Sequence, residues 1–181
     1  MIDRCRSRWG AVPDIFVANA GIGLPGTILT SEPSRWRDLF DLNVIGVMHQ
    51  LRAAARAIME HGEPGKPRDI IVIGSAIARN VSPFNSVYGS SKAAVASFTE
   101  ALRRELGPHL IRVTLVEPGT VKSEFQAASG YDPEWFARYA DEIGPVLEPG
   151  DIADLVLFIA SRPPHVHLND VMIRPTRQAY P

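Results

Sequence analysis

Tyr88 and Lys92 stand four residues apart in the run Tyr-Gly-Ser-Ser-Lys. On a helix that spacing puts a phenol and an ammonium on one face, about one turn apart. A free tyrosine ionises near pH ~10, too high for an acid or base at neutrality. A lysine charge held beside it favours the phenolate and lowers that value, which is expected to make Tyr88 a working acid or base near neutral pH. Ser75 lies thirteen positions earlier, after Gly74 at the end of the apolar run DIIVIGS. A hydroxyl leaving the end of a strand there can hydrogen-bond a carbonyl oxygen and stabilise charge developing on it. Alone, a Tyr-x-x-x-Lys pair equally describes an exposed helical pair worth roughly a few tenths of a kcal/mol. The surrounding sequence has to decide.

That sequence alternates strands and helices. Residues 14–20 (DIFVANA) form a short apolar run before Gly21 and read as a buried strand. A Gly- and Pro-punctuated loop follows, with Thr30 or Ser31 as an N-cap and Pro33 in the first turn of a helix. Trp36, Phe40, Val44, Val47, Leu51, Ala55 and Ile58 then recur at helical spacing, predicting one amphipathic helix over 34–60. Residues 69–75 are a second buried strand, 88–106 a helix stopped by Gly107-Pro108, and 111–116 a third strand closed by Pro118-Gly119. Residues 120–150 lack a period and read as a variable lid with a short helix over 133–141. A helix over 149–160 and a strand over 166–174 complete the pattern. Strands separated by helices imply a parallel, doubly wound α/β sheet whose ligands sit beyond the carboxyl ends of the strands. The polar residues above fall at those ends or on the helices that follow.

Composition narrows the possibilities. The 181 residues suit a single domain, with 45% apolar and 22% charged residues. A net charge of −1 gives no electrostatic case for nucleic acid or an anionic membrane as partner. No apolar stretch approaches the ~20 residues of a membrane span, and the opening MIDRCRSRWG lacks the apolar core of a secretory signal. Cys5 is the one cysteine, so no internal disulfide can form and a reducing, cytoplasmic setting is expected.

Five ordered motifs carry a resemblance across essentially the whole chain: Ala18-Asn19-Ala20-Gly21 ending the first strand, Asn43 in Leu-Asn-Val-Ile-Gly, Ser75, Tyr88 with Lys92, and Pro118-Gly119. The chain resembles the short-chain dehydrogenase/reductase superfamily. The resemblance implies a Rossmann-like fold and hydride transfer between a nicotinamide cofactor, NAD or NADP, and a small alcohol, ketone or hydroxy acid. Ser75 would orient the substrate oxygen and Tyr88 transfer the proton. Lys92 would hold the nicotinamide ribose and lower the pKa of Tyr88, and Asn43 would support a water in a proton relay. Asn19, Ala20 and Gly21 match the segment lying against the cofactor. Pro118, Gly119 and Val121, with Ser123 where the family carries Thr or Ser, match the loop around the nicotinamide amide. The tail VHLNDVMIRPTRQ is similar to members acting on 3-hydroxy acids or small alcohols, a branch often preferring NADP. The resemblance also implies a homodimer or homotetramer built on the two long helices.

One family feature has no match. No Gly-rich phosphate turn occurs; Gly21-Ile-Gly23 lacks the third glycine and leads into a Pro-containing loop. The acidic or basic residue that selects NAD or NADP is also missing. The chain is therefore expected to hold the equivalents of the fourth to seventh strands, a catalytic part without the pyrophosphate site. Two explanations follow: a piece of a longer enzyme, favoured because all four catalytic residues remain, or an inactive short protein serving as an assembly module. The 181 residues alone are expected to be poorly stable, to bind NAD or NADP no tighter than about millimolar, and to show no turnover. His165 and His167, two apart, lack a third ligand and read as a solvated strand end, so no metal is expected. Trp135, Phe136 and Tyr139, at helical spacing, pack the lid or line the substrate pocket, and Ile77, Val81, Phe84 and Phe125 stand near that pocket by sequence neighbourhood. Cys5 is an incidental thiol.

Overall fold

The computed structural model describes residues 2–63 and 65–179. A short helix α1 (Ile2–Trp9) leads into strand β1 (Ile15–Ala18). Helix α2 (Trp36–Phe40) continues through a π turn (Asp41–Gly46) into α3 (Val47–His61), and strand β2 (Arg68–Ile73) follows. Helix α4 (Ser86–Leu106) precedes strand β3 (Ile111–Pro118). The lid carries α5 (Phe125–Ser129) and α6 (Pro133–Ile143), before α7 (Pro149–Ala160) and β4 (Asp170–Ile173).

The described strands form one parallel sheet in the order β1-β2-β3-β4. Ile70, Val72, Val113 and Leu115 face α3 and α4, meeting Leu51, Ala54, Val95 and Leu102. Ile71 and Val116 point the other way, onto Ile159 and its neighbours in α7. Burial on both faces is why the middles of β2 and β3 are apolar runs, broken only by Thr114. β1 differs: Phe16 and Ala18 are buried, but Ile15 is 48% and Val17 40% exposed, on the face that α7 covers elsewhere. The expectation of a fully buried first strand is thus corrected to burial on one face.

At the amino ends of the central strands, Asp69 and Arg112 are register partners. The guanidinium meets the carboxylate through two bonds, Nε to Oδ1 at 2.8 Å and Nη2 to Oδ2 at 2.7 Å. Its remaining donors reach the carbonyls of Ala160, Arg162, Pro163 and Val166. Arg112 therefore caps the carboxyl end of α7 and fixes the chain that leads to β4. Both side chains are buried, so the pair is compensated only while its bonds are complete.

Other boundaries shift for local reasons. The single helix expected over 34–60 is a 3-10 turn, an α segment, a π turn and an α segment. The expected lid helix runs on to Ile143, started by Pro133 and by Asp132 accepting from the amides of Glu134 and Trp135, and α5 precedes it. The last strand shortens to Asp170–Ile173, leaving His165 and His167 outside it; the ring of His167 lies 3.0 Å from the carbonyl oxygen of Val113. No described helix is long and apolar enough to cross a membrane.

Arg112→Met leaves Asp69 buried and unpaired and frees four carbonyls. It is expected to lower unfolding stability by about 3–5 kcal/mol, read from urea denaturation. Asp69→Asn should lower it less, because Arg112 keeps its hold on α7.

Candidate active site

Because all four strands run the same way, their carboxyl ends open onto one edge. Residues 19–21 leave β1 there, Gly74 and Ser75 leave β2, and residues 119–123 leave β3. Ser75 caps a 3-10 turn over Ala76–Ala78, its hydroxyl accepting from the amide of Ile77 at 3.4 Å. That turn packs on α4, whose first turns carry Tyr88 and Lys92. The Ser75 hydroxyl lies near enough to the Tyr88 phenol to favour its ionised form. Lys92 Nζ donates to the carbonyl of Ile73 at 3.1 Å and lies 5.9 Å from the centre of the Tyr88 ring. The alternative of an exposed helical pair falls away, since both side chains are buried.

Burial changes the electrostatics expected from the sequence. The Tyr88 phenol is pushed up to about 12 by desolvation, which outweighs the opposing influence of the nearby Ser75 hydroxyl. Lys92 is pushed down to about 8, again by desolvation. The expected lowering of the phenol is corrected: burial shifts both groups toward their neutral forms, although Lys92 still holds its proton at neutral pH. Tyr88 is therefore a protonated phenol at neutral pH rather than a phenolate.

Asn43 lies on the π turn and is buried. Its Oδ1 accepts from the amide of Ile22 at 2.9 Å while its Nδ2 donates to the carbonyl of Ile22 at 2.8 Å. The same Nδ2 reaches Ser91 Oγ at 3.2 Å, and Ser91 donates to the carbonyl of Tyr88 at 2.7 Å. One amide thus joins the loop after β1, the π turn and α4. Gly21 passes between them: a Cβ there would lie 3.2 Å from Asn43 Oδ1 and 3.5 Å from Lys92 Nζ, so only hydrogen fits without displacement.

The third loop is fastened from the tail. The Gly119 amide donates to the carbonyl of Ile173, and the Thr120 amide to Gln178 Oε1 at 3.0 Å. A Cβ at Gly119 would collide with Gln178 and Arg174. Val121 bridges to Leu147, and its carbonyl accepts from Gln126 at 2.8 Å. Ser123 is exposed, its hydroxyl accepting from the amide of Phe125. Asn19 and Ala20 are exposed at the end of β1, beside Gly21.

Several residues of this edge escaped sequence reasoning. Ser91 and Ile22 complete the Asn43 network, and Gln178 holds the 119–120 loop; nothing in their local sequence distinguishes them. Arg79, which ends the Ser75 turn, sits with Nε 2.6 Å from Glu117 Oε2 and Nη2 2.7 Å from Asp170 Oδ1. Glu117 is fully buried, neither of its oxygens accepts a well-directed hydrogen bond, and burial raises its pKa against the pull of Arg79. An acidic residue following the apolar pair Leu115-Val116 near the end of a buried strand was the available signal.

A model of the short chain dehydrogenase family matches residues 1–134. The chain belongs to that family. It is 35% identical to the bovine (Bos taurus) "Dehydrogenase/reductase SDR family member 11" over 185 residues, covering 98% of this chain and 70% of that protein. Among solved structures it is similar to the closed form of a serine dehydrogenase complexed with NADP+, at 28% identity and a TM-score of 0.81, covering 99% of this chain and 74% of that one. A carveol dehydrogenase from Mycobacterium avium in complex with NAD matches at 26% identity and a TM-score of 0.80, covering 95% of this chain and 67% of that one. The four-stranded parallel sheet between helices is thus the Rossmann-like fold of the short chain dehydrogenases.

Within this short chain dehydrogenase the buried ammonium has a measurable consequence. Below pH 8 Lys92 is charged in both folded and unfolded chains, and the folded chain bears the desolvation penalty. As pH rises from about 8 to 10.5 the folded chain sheds that proton first, and the penalty disappears. Lys92→Met is expected to stabilise the fold by about 1–3 kcal/mol at pH 7. The advantage should vanish as pH approaches 10.5, which urea titrations across this range would read out.

Proposed function

We propose that this chain carries the proton-transfer centre of a nicotinamide-dependent oxidoreductase interconverting an alcohol and a carbonyl compound. The observation that supports it most is the placing of Ser75, on the turn packed against α4, beside the buried Tyr88 at the carboxyl edge of the sheet, with Lys92 one turn along the same helix. Two convergent hydroxyls suit a carbonyl oxygen, and a phenol kept protonated by burial suits the moment when that oxygen gains charge. In reduction Tyr88 gives its proton to the substrate oxygen while Ser75 hydrogen-bonds it. In oxidation the alcohol proton returns to Tyr88.

The residues present fit a nicotinamide riboside half. Lys92 shows one bond to Ile73, leaving donors for ribose hydroxyls, and Gly21 keeps the space beside Lys92 free of side chain. The backbone of Asn19 and Ala20 and the loop of Pro118, Gly119, Val121 and Ser123 face the same edge. When bound, the nicotinamide donates or accepts the hydride. Both NAD and NADP occur among the similar structures, and the tail resemblance favours NADP. Asn43 positions α4 and the loop after β1, and the π turn supplies the break in helical hydrogen bonding where a relay water can bind. The 181 residues are the catalytic part of one short-chain dehydrogenase domain and work in a cytoplasmic homodimer or homotetramer. Exposed Leu42, Ile45 and Met59 on the π turn and α3 supply the apolar contact surface.

In the active protein, Tyr88→Phe is expected to remove turnover and leave cofactor affinity within about twofold, because the phenol proton reacts and the ring holds little of the cofactor. Lys92→Ala should damage both. Turnover by Tyr88→Phe above about a tenth of the wild-type rate, a loss under ~1.4 kcal/mol, would remove proton transfer from this phenol.

A further inference from the structure

A ladder of rings rises from Tyr88 into the lid. The Phe125 centre lies 6.0 Å from that of Tyr88 and 6.4 Å from that of Tyr131. Tyr131 stacks on Trp135 at 6.3 Å, and Trp135 on Tyr139 at 5.3 Å with the planes 8° apart. The lid is anchored to hold this order. Ser129 is buried; its hydroxyl accepts from the amide of Gly23 at 2.8 Å, and its carbonyl accepts from Arg35. Gly130 follows with a φ of +83°, a left-handed turn open to glycine, and sends the next residue back toward α4. There the Tyr131 hydroxyl donates to Asn85 Oδ1 at 2.6 Å, and Asn85 heads the helix that carries Tyr88. Burial raises the pKa of Tyr131, and the nearness of Tyr88 adds to it, so the two phenols stand in one another's field.

These contacts do more than close the lid. Phe125 and Tyr131 keep part of their surface open, and Trp135 is 43% exposed. The partly positive edges of such rings are attracted by the π face of another ring, a contact that an alkyl chain of equal carbon number cannot reproduce. No charged side chain belongs to the ladder. We propose that Phe125, Tyr131 and Trp135 form the wall that receives the substrate body, so that the site takes carbonyl compounds and alcohols bearing a flat, uncharged ring beside the reacting carbon. This rests on the oxidoreductase reading above. Tyr131 is the specificity-determining residue, and its bond to Asn85 sets the wall's distance from Tyr88.

The test compares methyl phenyl ketone with methyl hexyl ketone, which have the same number of carbons. Tyr131→Leu keeps an apolar side chain but no ring, and Tyr131→Phe keeps the ring but not the hydroxyl. The ratio of kcat/KM for phenyl over hexyl ketone should fall about tenfold in Tyr131→Leu, the worth of a ring contact near ~1.4 kcal/mol. It should stay within about twofold of wild type in Tyr131→Phe. Equal loss for both ketones would assign Tyr131 a purely structural role in the lid and overturn the proposal, as would an unchanged ratio. Binding is read separately on this chain, by saturable quenching of tryptophan fluorescence with methyl phenyl ketone. The quench should persist in Tyr88→Phe and disappear in Trp135→Phe; a quench that survives in Trp135→Phe and Tyr131→Leu alike overturns the wall. With cofactor shown to be bound, ring-selective binding without turnover of either ketone would sink the oxidoreductase reading and uphold the wall. Turnover without ring selectivity would do the reverse.

Discussion

The two-sided pairing of the Asn43 amide with the backbone of Ile22 is the constraint on which the reactive edge depends. A buried amide needs both its acceptor and its donors satisfied. Here one residue of the loop after β1 supplies both partners, as a neighbouring strand would. The match holds only if the helix presents Asn43 at the right height and rotation, which the π turn achieves by interrupting the α ladder at that point. From this bond the geometry spreads outward. Ile22 fixes Gly21, Gly21 borders Lys92, and Ser91 carries the constraint into the turn that presents Tyr88. A helix interior without the π turn would carry Asn43 around its axis and leave a buried amide unpaired.

Charge is distributed unevenly between the two ends of the sheet. At the amino end, Asp69 and Arg112 satisfy one another and four carbonyls, a closed arrangement that holds architecture together. At the carboxyl end the buried charges are incompletely served. Lys92 donates to the carbonyl of Ile73 and has a depressed pKa, and Glu117 leans on an arginine that is itself 48% exposed. Incomplete compensation is unfavourable for folding and useful for chemistry, because a group with spare donors and a shifted pKa can respond to a substrate. The tie from Arg79 to Glu117 and Asp170 also joins the turn after Ser75 to the strand that ends in Pro118, so two walls of the cleft move as one.

Much of this was legible in the sequence, for identifiable reasons. Alternating apolar runs fixed the parallel sheet, and α7 runs over the residues expected of it because Pro149 and the reciprocal caps of Glu148 and Asp151 mark its start. Ser75, Tyr88, Lys92 and Asn43 converge because each stands at a strand end or on the helix that follows. The π turn was not legible, since the apolar spacing of 34–60 looks the same with or without an inserted residue. The pKa of Tyr88 was misjudged because spacing reports the distance between two groups and says nothing of the water each loses. Tyr131, Asn85 and Gln178 act through contacts with distant segments, and a local pattern carries no trace of those. The lid aromatics were half visible: helical spacing showed Trp135 and Tyr139 on one side of α6, while the link through Tyr131 and Phe125 to Tyr88 needed the turn at Gly130.

The grip of Gln178 on the Gly119 loop sets an order of events during synthesis. A ribosome delivers Ser75, Tyr88 and Lys92 well before it delivers Gln178, and the first three can meet as soon as β2 and α4 dock. Gly119, at the start of the loop that follows β3, has no lasting seat until β4 has added to the sheet and the residues after it have folded back over it. A nascent chain therefore passes through a stage in which Ser75, Tyr88 and Lys92 are assembled and one side of the cleft is loose. Completion belongs to the tail, so a ribosome that stalls shortly before Gln178 leaves behind a folded sheet with an unfinished cleft.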